Sequence, residues 1–252
     1  MRLSLQLAAI LLLAAVGASA QIAPMGPSAP PEPPAKAPKK GKPQRENVEW
    51  IWQYTPTDKD KAGRENDLVQ DQHFRPFLEQ FLTAPQTFWG QPVNGNYRSL
   101  ADTALDHLSV PDKVLADDQR YISITGCVVH FCPARGLLWI DLNGNHHLVV
   151  FAAIDWTKQG RPTSDPDAEY TLWVFPNDPL SGQHVPAALT KAIGRWTAQP
   201  LAGSNIVQKI THAILVDPDG TPHEVTPASL GVAPSSTSPD TDSEAPVLKP
   251  RN

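Results

Sequence analysis

Cysteine is nearly absent: the 252-residue chain has only two, Cys127 and Cys132, so it can hold at most one internal disulfide. Excess positive charge is missing as well. With 21 basic and 26 acidic residues the formal charge is −5, which argues against the basic face that nucleic-acid binding needs. Only one long apolar run exists, at the N-terminus, so no membrane span is expected in the mature chain. There is no G-x-S-x-G, no H-E-x-x-H and no phosphate-cradling glycine loop. Nothing in the pattern points to an enzyme, a cofactor or a metal.

Proline is abundant, with 27 residues concentrated toward the two ends. The chain begins MRLSLQLAAILLLAAVGASA. Arg2, the apolar stretch Leu5 to Val16 and the small residues Ala18-Ser19-Ala20 form a signal-peptide pattern over residues 1–20. The run is shorter than the roughly 18–20 apolar residues a bilayer span requires. Cleavage near Ala20 would export the mature chain to the periplasm or outside the cell. Residues 21–46 are Pro-, Ala- and Lys-rich without apolar periodicity, which predicts a disordered, extended spacer whose Pro-rich stretch 23–43 reaches roughly 60 Å at about 3.1 Å per residue. Residues 231–252, rich in Ser, Pro and acids, predict a disordered tail. Residues 47–230 between them suffice for one hydrophobic core.

The first half of that domain has helical spacing. Phe74, Phe77, Leu78 and Phe81 share one face, with Pro76 in the first turn. Ser99 and Asp102 form a capping-box pattern ahead of Leu100, Ala104, Leu105 and Leu108. From Tyr121 the period becomes that of strands. YISIT places Ile122 and Ile124 on one face. LLWIDL and HLVVFAAI flank Asn143-Gly144, a type I′ hairpin signal. EYTLWVF (169–175) predicts a strand, and a short helix from Pro186 carries Leu189, Ile193 and Trp196. KITHAILV and a turn at Asp217–Gly220 lead to a last strand at His223–Val225. Helices followed by hairpin-linked strands predict an α+β fold, an antiparallel sheet with flanking helices.

The stretch GCVVHFC (126–132) then joins two adjacent strands. Cys127, His130 and Cys132 allow three readings: metal ligands, a reactive thiol, or a disulfide holding His130 outward. An even count in an exported chain favours the disulfide. Three ligands in six residues suit a structural zinc site poorly, and His146-His147 reads as solvated surface rather than as a supply of further ligands.

The loop resembles that of the inhibitors of vertebrate lysozyme, the Ivy family, whose C-K-P-H-D-C segment has the same cysteine–histidine–cysteine spacing as Cys127-Val128-Val129-His130-Phe131-Cys132. The likeness extends over about residues 74–175 as a pattern of helix, Pro111, Val114 and successive strands. Valines replace the family's Lys-Pro and Phe131 replaces its Asp, as in a diverged member. The resemblance implies a periplasmic inhibitor whose closed loop enters a lysozyme active-site cleft, with His130 against the catalytic carboxylates. The partner implied is a lysozyme or other peptidoglycan hydrolase. The competing reading is a non-inhibitory envelope domain, structural or carbohydrate-associated.

Other groups carry weaker signals. Asp141, Asp155 and Glu169 could pair as glycosidase acids, but acids near strand ends are commonly solvated. Trp139, Trp156 and Trp173 could stack on sugars, but Trp139 and Trp173 lie in apolar strands and read as core. TSDPDAEY (163–170) lacks the ligand alternation of a calcium loop.

Overall fold

The computed structural model describes residues 48–56, 63–88, 94–143, 146–156, 162, 165, 167–180 and 184–234. The expected signal peptide, spacer and most of the expected tail lie outside these residues. Four helices are described: α1 (Glu65–Gln70), α2 (Phe74–Phe81), α3 (Leu100–His107) and α4 (Ala187–Thr197). Seven strands form one sheet: β1 (Val110–Asp117), β2 (Tyr121–Val128), β3 (Phe131–Asp141), β4 (Leu148–Trp156), β5 (Glu169–Pro176), β6 (Lys209–Val216) and β7 (Pro222–Val225). Their order across the sheet is their order along the chain.

The helices form where the spacing places them. Phe74, Phe77, Leu78 and Phe81 of α2 are all buried. The Ser99 hydroxyl caps α3 by accepting the Asp102 N–H at 3.0 Å. In α4, Leu189, Ile193 and Trp196 are buried and Pro186 is the N-cap.

The sheet is mixed rather than wholly antiparallel. β5 and β6 pair in parallel, because α4 carries the chain back to the edge where β5 began. The crossover also places α4 on the opposite face from α1–α3, so the sheet is covered on both sides. Ile122, Ile124, Leu138, Ile140 and Phe151 pack with α1–α3 and a 3₁₀ turn at Glu49–Tyr54. Leu137, Trp139, Val150, Ile154 and Leu172 pack with α4. Burial on both faces explains why Ser123 and Thr125 are buried alongside Ile122 and Ile124, where simple alternation would leave them wet.

The Asn143-Gly144 turn is a second departure. β3 and β4 do form a hairpin, but pairing ends at Asp141 and Leu148, so six residues connect them rather than two. Part of that connection, including Gly144, lies outside the described residues. At the C-terminal end, packing continues past residue 230: Gly231 caps a 3₁₀ turn at Pro227–Leu230, and Val232 is buried against the α4 side.

Candidate functional site

Cys127 and Cys132 are disulfide-bonded, with Cα atoms 4.7 Å apart. With both sulfurs bonded to each other, neither is a thiolate that could bind a metal or act as a nucleophile. The bond closes the hairpin between the adjacent strands β2 and β3. Val128 pairs with Phe131, leaving Val129 and His130 as a two-residue tip. His130 has φ 62°, the left-handed region that a tight reversal requires and that histidine tolerates better than β-branched residues. Below the tip the register jumps, since Cys127 already pairs with Arg135. Cys132, Pro133 and Ala134 therefore bulge on the β3 side, which re-aims the tip.

The tip is exposed. Val129 is 52% accessible and Phe131 37%, and His130 is also exposed. Val110, on β1 opposite Cys127, adds another exposed apolar side chain. Three of the five exposed large hydrophobic residues among the described ones thus sit at this end of the sheet.

Two buttresses hold the tip. The first comes from α3. Gly126 and Gly136 pair across β2 and β3, and a Cβ on either would meet backbone at 2.9 Å: Val110 O for Gly126, His107 O for Gly136. These two glycines let the end of α3 rest directly on the sheet. Ser109 follows that end. Its hydroxyl accepts the Val129 N–H at 3.0 Å and donates to the Asp106 carbonyl at 2.7 Å, with the Cys127 carbonyl 3.3 Å away.

The second buttress is Arg135, which is 7% exposed. Its Nε donates to Gln208 Oε1 at 2.7 Å and its Nη1 to the Gln199 carbonyl at 3.1 Å. Gln208 in turn donates to the Pro133 carbonyl in the bulge at 2.8 Å. The guanidinium lies 5.6 Å from the centre of the Trp196 ring. Burial pushes its pKa down to about 10, against the attraction of Asp112.

His107, beneath Gly136, is buried and edge-on to Phe151. Its Nδ1 lies 2.9 Å from the Thr103 carbonyl. Burial lowers its pKa, and the Thr103 carbonyl, Asp155 and Asp106 offset this only in part.

The other sequence candidates do not converge on this site. Asp141 lies at the far end of β3 and is ion-paired with Arg120 at 2.6 Å. Asp155 lies near the tip end of β4, since its neighbour Ile154 pairs with Arg135, so it is roughly 20 Å from Asp141 at about 3.3 Å per residue. Glu169 faces Lys209 at 3.9 Å. Trp139 is fully buried against Tyr121, and Trp173 is half-buried against Phe88. His146 is exposed, with its Nε2 2.7 Å from Asp178 Oδ2, but His147 is buried, against expectation. Sequence reasoning missed Ser109, Arg135 and His107. Only the Gly126 and Gly136 spacing hinted that another element comes close there.

Comparison with known protein families, curated proteins and solved structures finds no match.

Proposed function

We propose that this is an exported inhibitor-like protein that presents the 127–132 loop to the active-site cleft of a glycan hydrolase, with lysozyme-type enzymes the first class to test. One observation carries the reading. A covalently closed, two-residue tip projects His130 into solvent between exposed apolar side chains. A loop already fixed in shape loses little conformational entropy on docking. Val129 and Phe131 supply apolar contact for a cleft wall. An imidazole between two carboxylates gains a proton and charge-assisted hydrogen bonds. The spacing shared with the Ivy loop adds support, and the apolar substitutions suit a cleft with less polar walls.

The test is inhibition of a panel of lysozymes and other peptidoglycan hydrolases by wild type and His130→Ala. Wild type should inhibit at least one member. The variant should fold equally well and bind about thirtyfold more weakly, corresponding to about 2 kcal/mol for a central contact. Binding should also weaken at low pH, as the target's carboxylates protonate. Equal potency of the two proteins would remove His130 from the interface. No inhibition anywhere on the panel would favour a non-inhibitory envelope domain.

A further inference from the structure

We propose that the cleft at the base of the hairpin, between the disulfide and the end of α4, binds a small monocarboxylate with an apolar or aromatic body. The cleft holds about 320 Å³, at the small end of ligand pockets. Val110, Pro111, the disulfide residues, Pro200 and Ala202 give it apolar walls, and Arg135 and Trp196 lie along it.

Those last two residues specify the guest. Arg135 uses Nε and Nη1 on Gln208 and Gln199, whereas its Nη2, buried, has no hydrogen-bond partner. Trp196 is 2% exposed, and its Nε1 also has no partner. Both orphaned groups are donors, so the complementary group is an acceptor with several lone pairs. Leaving a buried donor unpaired is costly, more so on a charged group. A carboxylate satisfies the guanidinium with a charge-assisted bond and has lone pairs left for the indole N–H.

Charge and shape narrow the class further. Lys113 and Asp112 also line the cleft, so with Arg135 its formal charge is one positive. That suits a singly charged guest better than a phosphate dianion. Asp112 makes no hydrogen bond to Nη2, and its Oδ2 instead lies 3.3 Å from the Thr125 hydroxyl. The apolar walls favour an organic body over an inorganic anion. Because both donor atoms are almost wholly covered, binding requires the irregular connection 199–202 to move outward, at the cost of the Arg135 Nη1 bond to the Gln199 carbonyl.

The experiment is calorimetric titration of the full chain with benzoate and with its neutral analogue benzamide. Benzoate should bind, and benzamide should bind at least tenfold more weakly. Trp196→Phe, which keeps an aromatic ring but removes the N–H, should weaken benzoate severalfold. Ala202→Trp, at the exposed rim, should abolish binding without touching either donor. A short peptide ending in Phe, with a free or an amidated C-terminus, separates the two sources of such a group. Tighter binding of the free-acid peptide than of benzoate identifies a chain terminus as guest; weaker binding identifies a free small acid. Equal affinity for benzoate and benzamide, no benzoate binding at millimolar concentration, or undiminished binding by Ala202→Trp would overturn the proposal.

Discussion

The two ends of β3 are held by different means. At Phe131–Cys132 the strand is tied to β2 by a covalent bond across a two-residue turn. At Asp141 it leaves the sheet through a six-residue connection held by polar contacts. There Arg120 grips Asp141 with two hydrogen bonds, of 2.7 and 2.6 Å, and the Asn143 N–H adds one of 2.9 Å. Asn177 holds the start of β4, bonding the His147 carbonyl and the Val149 N–H at 2.9 and 2.8 Å. Polar closure occupies the side chains that provide it. Covalent closure uses only the two sulfurs, and the Val129, His130 and Phe131 side chains around it are exposed.

Removing the covalent tie should produce the largest change. Cys127→Ser with Cys132→Ser should lower unfolding free energy by about 2 kcal/mol, the chain-entropy value for a six-residue ring. Urea denaturation reads the loss, and amide exchange should show it at the tip while the Asp141 end keeps its protection. Equal loosening at both ends would mean the ends are not independent.

Acid should act on the two ends in separate windows. His107, under the tip end, has a folded pKa below its ordinary 6.5, so below that value the unfolded chain binds more protons than the folded one. Stability present above pH 6.5 should therefore fall as pH drops toward the lowered value, by at most about 1.4 kcal/mol per pH unit for one proton. His107→Gln should flatten this part of the stability–pH curve. At the far end, burial alone would raise the Asp141 carboxyl, but hydrogen bonds from Arg120 and the Asn143 N–H bring it below its ordinary 3.8. Its contribution is present above that value and is lost only as pH falls through the lowered one.

The smallest effect should come from Asp141→Asn, since Arg120 is 42% exposed and pairs open to solvent are weak. Its melting temperature should shift less than that of the double serine variant, and the difference from wild type should vanish in strong acid.

Much of the frame was legible in the sequence. The α2 and α3 spacings, the Ser99 cap, the strand at YISIT (121–125), the strand from Lys209 to Val216, and the Cys127–Cys132 pairing follow from local periodicity and count. β1 was not legible as a strand, because VPDKVLAD carries Pro111 and charges and buries only Val114. An edge strand has one neighbour and little apolar demand, so its pattern is faint. The parallel β5–β6 pair was hidden because spacing along the chain does not reveal to which edge of β5 a crossover returns. At the site, the loop was legible because its cysteines are the only two in the chain. Arg135 and Ser109 were not, because their roles depend on partners 73 and 20 residues away, Gln208 and Val129.

The agreement between strand order and chain order bears on how the molecule is made. Each strand finds its partner in the segment synthesised just before it, so most pairing closes short loops, which favours rapid assembly. The parallel step is the exception, because β6 must wait for α4 to be laid down and docked. The 127–132 ring needs nothing beyond its own hairpin. Oxidation can therefore close the ring while the C-terminal third of the chain is still arriving, and the Gln199 and Gln208 contacts that brace its bulge are added only afterwards.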